Sequence, residues 1–291
     1  MKRLTVPITM KRIPLRPIFL APLAEFRYDQ CPIKWAQTPS PTTLVPGKRQ
    51  SPININRSVC LVGKSLISRP LRYEFPTVIE NLEMVNSGHG WTVNIPPHIG
   101  DKTGLTDGPL LDKYNLVQFH AHWGCDSTSG SEHTIDGHSY ASELHFVHYN
   151  STLFSSFGEA VKKDRGLSVI AVFLEVGDKK NEQIEKIVKH LKDIKYKDEK
   201  TIISEGISYV GFFPEKKSYF TYEGSLTTSP YHESVSWIVF ENPVTVTADQ
   251  ITAMRQLMCN TKETENKDSS GLSQNYRQPQ PINGRDVIYV R

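Results

Sequence analysis

The chain has 291 residues, 38% of them hydrophobic, and a formal net charge of +3 with Lys and Arg scattered among Asp and Glu. That length and apolar fraction suffice for one full core. The balanced charge gives no reason to propose a nucleic-acid partner, and no run of about 18 apolar residues offers a membrane-spanning helix.

The first 24 residues carry five basic residues (Lys2, Arg3, Lys11, Arg12, Arg16) and no acid. This bias is that of a mitochondrial transit peptide or of an unstructured basic tail; a secretory signal fits less well, because Pro17 and Pro22 break a short apolar run. Residues 1–33 are therefore read as a leader or tail, and 34–291 as one folded domain without internal repeat or linker. From Cys31 to Gly47 the Pro- and Thr-rich "CPIKWAQTPSPTTLVPG" predicts an extended segment.

Strand-like runs follow: "LRYEF", "WTVNI", "YNLVQFHAHW", "SELHFVHYN", "LSVIAVFLEV", "SVSWIVF" and "DVIYV". Turn clusters such as "NSGHG", "PPHIGDKTG" and "TDGPL" separate them. Two stretches predict helices. "NEQIEKIVKHLKDIKYK" places Ile184, Ile187, Val188, Leu191 and Ile194 on one stripe, and "TADQITAMRQLMC" has Thr247 as a cap ahead of Ile251, Met254, Leu257 and Met258. The expected fold class is α+β, strand-dominated, with peripheral helices. Cys31, Cys60, Cys125 and Cys259 form no CxxC pair and read as free thiols of a reducing, intracellular compartment.

Six of the ten histidines fall between Gln118 and His148. The period of two places Gln118, His120 and His122 on one face of a strand, and Glu143, His145 and Val147 on one face of another. Neighbouring strands would bring three imidazoles together, the donor set of a zinc site that keeps a fourth position open. An HxH pair on a strand also occurs in other metal sites. Gln118 and Glu143, each two residues before a histidine on its own face, are candidates to hold the outer ring nitrogens.

"RQSPINI", "QFHAHWG", "GSEHTIDGHSY", "ELHFVHYN", "YEGSLTTSP" and "NYRQPQP", in this order from about Arg49 to the end of the chain, resemble the α-class carbonic anhydrases. The resemblance implies a single domain built on a large, mostly antiparallel twisted sheet. It implies Zn2+ on His120, His122 and His145, and reversible hydration of carbon dioxide to bicarbonate by attack of zinc-bound hydroxide. Thr227 would accept a hydrogen bond from that hydroxide and donate to Glu132. Thr228 would lie on the bicarbonate side. Val147, Val169, Leu226, Val235 and Trp237 would line an apolar substrate wall, and His89 would export the proton. His133 and His148 are read as structural and His138 as surface.

Ser87 and Thr92 stand where the family often has asparagines, Ser229 replaces a proline of the usual "TTPP", and the usual "WGY" is replaced by "FRYDQCPIKW". No cysteine lies near Tyr231 and His232, where secreted members carry a disulfide, so an intracellular monomer acting on a small molecule is expected. The rival reading is an acatalytic carbonic-anhydrase-related binding module. That class is recognised by loss of a ligating histidine, and all three are present.

Overall fold

The computed structural model describes residues 47–265 and 271–291. The N-terminal leader, the segment up to Pro46 and Cys31 lie outside the described residues. In chain order the strands are β1 (Asn54–Ile55), β2 (Leu61–Val62), β3 (Arg72–Glu74), β4 (Leu82–Asn86), β5 (Trp91–Asn94), β6 (Gly104–Thr106), β7 (Tyr114–Trp123), β8 (Thr134–Ile135), β9 (Ser142–Asn150), β10 (Leu167–Val176), β11 (Lys200–Ile203), β12 (Tyr219–Gly224), β13 (Val235–Phe240), β14 (Val244–Val246) and β15 (Ile288–Val290).

Among the described residues, thirteen of these strands form one sheet, whose main path runs β11-β4-β5-β7-β9-β10-β13-β12-β15-β2. Most neighbours are antiparallel, as the resemblance implied; β10 runs parallel to β13 and β14, and β15 parallel to β2. The small β1–β8 pair stands apart.

Alternation along the central strands sorts side chains onto two faces. Leu144 and Phe146 of β9, Ile170 and Val172 of β10, and Ile238 and Phe240 of β13 enter one core. Val147, Val169, Ala171, Val235, Trp237 and Val239 enter a second core on the opposite face. Burying residues such as Phe146 and Trp237 contributes about 1.5–3 kcal/mol each, so a one-residue slip of β9 would exchange its apolar residues for His145 and Glu143 and is strongly disfavoured.

The helix Glu182–Val188 begins at Asn181, whose side chain accepts from the Gln183 and Ile184 amides. The helix Ala248–Met254 opens on a reciprocal capping box between Thr247 and Gln250, so the Thr247 cap is realised. Ile184, Ile187, Ile251 and Met254 place both helices on the first core, behind the face that carries the histidines. The first helix is shorter than predicted: it stops at Val188 and a 3-10 turn, Leu191–Ile194, carries the stripe onward. A three-residue spacing between Leu191 and Ile194 suits the tighter turn as well as an α-helix.

Candidate metal centre

β7 and β9 pair antiparallel, with His120 opposite His145, His122 opposite Glu143 and Gln118 opposite Val147. The ladder is interrupted by a bulge between Leu116 and Gln118. The extra residue, Val117, lets Leu116 join the first core while Gln118, His120 and His122 turn to the other face.

The three imidazoles converge: one ring nitrogen from each of His120, His122 and His145 lies within 4.8 Å of the others. His120 Nε2 and His122 Nε2 are 3.2 Å apart. The outer nitrogens each meet an acceptor. His120 Nδ1 lies 2.8 Å from Gln118 Oε1, His122 Nδ1 2.9 Å from the Asn275 carbonyl, and His145 Nε2 2.7 Å from Glu143 Oε1. A carbonyl or carboxylate oxygen only accepts, so those outer nitrogens carry the protons. The inner nitrogens, His120 Nε2, His122 Nε2 and His145 Nδ1, are left as lone pairs available to a cation.

Burial favours the neutral form of two of these rings, His120 and His145. Burial, reinforced by the other two imidazoles, holds His120 well below the usual histidine range. Burial also lowers His145, against the opposing pull of Glu143. For Glu143 burial alone would raise the carboxyl, but His133 and His145 outweigh it and hold it well below the usual carboxylate range.

The donor set fits zinc. Two nitrogens each about 2.0–2.1 Å from one tetrahedral ion stand roughly 3.3 Å apart, close to the 3.2 Å between the two Nε2 atoms. Two lone pairs facing each other at that distance repel unless a cation lies between them. The second cluster of possible ligands, His133, Glu143 and His145, is a hydrogen-bonded network instead. Glu143 Oε1 accepts from both imidazoles at 2.7 Å, and Oε2 accepts from the His133 amide at 2.8 Å.

His133, read from sequence as structural, braces the carboxylate that holds His145. Its Nε2 lies 2.7 Å from the Tyr222 hydroxyl, which lies 2.8 Å from Ser51 Oγ. Ser51 and Ser225 exchange two hydrogen bonds, tying this network to the residues just before Thr227. His148 is buried and His138 exposed, as read from sequence.

Glu132 is 1% exposed; its Oε1 accepts from the Arg277 amide at 2.8 Å and lies 3.4 Å from His122 Nδ1. Its Oε2, 3.9 Å from His145 Nδ1, is buried without a hydrogen-bond partner among the described residues. Thr227 is buried and Thr228 exposed, but no hydrogen bond among the described residues joins Thr227 to Glu132. The loop around Ser229 is closed by Leu226 N to His232 O and Tyr231 N to Thr228 O, both 2.9 Å.

Val147, Val169, Val235 and Trp237 are buried, and Leu226 packs half-buried on the same cluster. The register aligns Val147 with Val169 and Val169 with Trp237, one apolar row beside the histidines. The Trp237 ring centroid lies 4.9 Å from that of His145.

His89 is exposed on the loop joining β4 to β5. Burial of part of its ring, then the charges of Lys197 and His122, lower its pKa. Ser87 Oγ donates to the Gly90 carbonyl, and Thr92 pairs with His120 across β5 and β7.

Sequence reasoning missed Asn275, Tyr222, Ser51 and Arg277 as parts of this assembly. Asn275 serves His122 through its backbone carbonyl, which any residue type could supply, so only the quoted "NYRQPQP" block marked the region.

A sheet that presents three imidazoles able to hold one metal ion defines a broad class of proteins. The chain belongs to one family within it, the eukaryotic-type carbonic anhydrases, whose sequence model matches residues 30–291. It is 39% identical over 241 residues to carbonic anhydrase 7 of Homo sapiens, 83% of this chain and 88% of that protein. It is 37% identical, with the same coverage of both chains, to carbonic anhydrase 1 of Monodelphis domestica. Membership makes the chain an enzyme of a zinc-dependent lyase family that acts on carbon dioxide. No helix of the described residues is long and apolar enough to cross a membrane.

Proposed function

We propose that this chain catalyses reversible hydration of carbon dioxide to bicarbonate and a proton, with zinc held by His120 Nε2, His122 Nε2 and His145 Nδ1. The observation that carries the reading is the set of three outer nitrogens committed to Gln118, the Asn275 carbonyl and Glu143, which leaves three inner lone pairs facing one another. Zinc held by three neutral imidazoles supplies a Lewis acid that moves the ionisation of water toward neutrality, a property for which this family is itself the reference example.

The chain's own residues orient and exclude. In the active enzyme the Thr227 hydroxyl would donate to Glu132 Oε2, the buried oxygen that has no hydrogen-bond partner among the described residues. With its proton so committed, Thr227 Oγ accepts from the attacking oxygen and turns a lone pair toward the substrate. Carbon dioxide is apolar, and Val147, Val169, Leu226, Val235 and Trp237 give it an apolar seat beside the imidazoles. Thr228, exposed at the rim, contacts bicarbonate. His89, exposed and with a depressed pKa, takes the proton and releases it to buffer.

The enzyme works as a monomer on a small-molecule substrate, without nucleic acid as partner. An intracellular site is supported by Cys60 and Cys259, which form no disulfide among the described residues. The test is zinc content and hydration rate of wild type and His145→Ala. One zinc per chain and rapid hydration, both lost in the variant, support the ligand set; a variant that retains zinc and full activity overturns it.

A further inference from the structure

The Asn275 side chain faces the turn that carries His89. Asn275 Nδ2 donates to the His89 carbonyl at 2.8 Å and to the Ala121 carbonyl at 3.1 Å, while Oδ1 accepts from the Trp123 amide at 2.7 Å. The orientation of the amide is unambiguous, because two carbonyls can only accept and one amide N–H can only donate. The Asn275 backbone is equally committed: its N–H donates to the Trp123 carbonyl at 3.0 Å and its carbonyl accepts from His122 Nδ1 at 2.9 Å. One residue therefore ties the His89 backbone to the end of β7 and to His122.

The turn is shaped to receive this clamp. Gly90 has φ +144°, and a Cβ there would fall 2.8 Å from Asn275 Nδ2 and 3.2 Å from the Trp123 ring. Only glycine both adopts that backbone and lets the amide approach. At the other end of the turn, Asn86 Oδ1 accepts from the Gly88 amide at 2.8 Å, while Asn86 Nδ2 donates to the Ile194, Lys195 and Met258 carbonyls. The loop is thus fixed to the first core through Asn86 and to the metal centre through Asn275.

We infer that Asn275 is a positioning residue for proton export: its side-chain amide sets where the His89 backbone stands relative to the three-imidazole centre. The inference rests on the proposed role of His89. Transfer between His89 and the centre depends on their separation, and a shift on the order of 1 Å in a positioned group can change a rate by up to ~100-fold. The ring of His89 can still rotate about a backbone that is held.

Asn275→Asp keeps the shape and the Trp123 contact but faces the two carbonyls with an oxygen that cannot donate at neutral pH. It is to be compared with Asn275→Ala, His89→Ala and the double variant His89→Ala/Asn275→Asp. Hydration is measured in dilute and in imidazole-rich buffer, and amide hydrogen exchange at Gly88–Gly90 in metal-free protein. The expected result is faster exchange in the turn and a loss of turnover on the order of tenfold in dilute buffer. The loss in kcat exceeds that in kcat/KM, imidazole restores the rate, and the double variant is no slower than His89→Ala. A loss with His89→Ala but none with either Asn275 variant, or unchanged exchange in the turn, overturns the positioning role alone. Undiminished turnover of His89→Ala in dilute buffer overturns the shuttle reading on which it rests. If Asn275→Ala fails to fold, the shape-preserving Asp variant decides.

Discussion

Glu143 and His145 sit two residues apart on β9, joined by a 2.7 Å hydrogen bond from the imidazole Nε2 to the carboxylate Oε1. Same-face placement on one strand brings them together, and His133 pins the carboxylate from behind. The bond fixes which nitrogen of His145 is free, so removing the negative charge weakens the metal ligand without removing it. Glu143→Gln is expected to lower zinc affinity roughly 10- to 100-fold. Competition with a chromogenic chelator measures this; unchanged affinity would show that the bond is structural only.

Thr227→Val preserves shape and deletes the hydroxyl assigned to Glu132 Oε2. With that oxygen left unpartnered and the attacking oxygen unoriented, kcat/KM should fall on the order of 100-fold while bound zinc stays stoichiometric. Steady-state hydration together with metal analysis reads both. A loss of zinc that accompanies the loss of rate would move Thr227 from chemistry to structure.

Val147 is 3% exposed and paired with Val169 in the apolar row beside His145. Val147→Phe fills that space and should reduce kcat/KM by tenfold or more, at a stability cost of about 1–3 kcal/mol for overpacking. The imidazole dependence of turnover is expected to match that of wild type. A near-normal kcat/KM in a folded, zinc-loaded variant would place carbon dioxide elsewhere.

His148 gives a pH signature separate from the metal centre. It is buried, its Nδ1 donates to the Ser168 carbonyl, and its Nε2 lies 2.8 Å from the Tyr209 hydroxyl. Burial brings its pKa down to about 3. The unfolded chain therefore binds a proton near the ordinary value of about 6.5 that the folded chain refuses. Stability from this group is fully present above about 6.5 and is lost as pH falls toward 3, by at most about 1.4 kcal/mol per pH unit. Denaturant titrations between pH 7 and 4 should show a shallower pH slope for His148→Gln than for wild type; equal slopes would assign the acid sensitivity to other groups.

The seven strands named from sequence are all present, because each combines β-branched or aromatic residues with a clear face. Leu82–Asn86 escaped notice because a buried asparagine, Asn86, occupies a position where alternation calls for an apolar residue. Tyr219–Gly224 carries a buried Thr221, and Lys200–Ile203 and Val244–Val246 are short edge pieces with little pattern to read. At the site, the period of two was enough to group Gln118, His120 and His122, and Glu143 with His145. The bulge at Val117 was not legible, since it arises from cross-strand register and not from composition. The Asn275 carbonyl was invisible for a similar reason: a backbone acceptor 153 residues along the chain from His122 leaves no local signal.

The most direct test of the account is stopped-flow carbon dioxide hydration on the purified chain before chelation, after metal removal and after addition of one equivalent of zinc. The three-imidazole centre predicts rapid hydration that vanishes with the metal and returns in full at one zinc per chain. Bound zinc at that stoichiometry with no hydration above the uncatalysed rate would contradict it and make the chain a binding module on an enzyme fold.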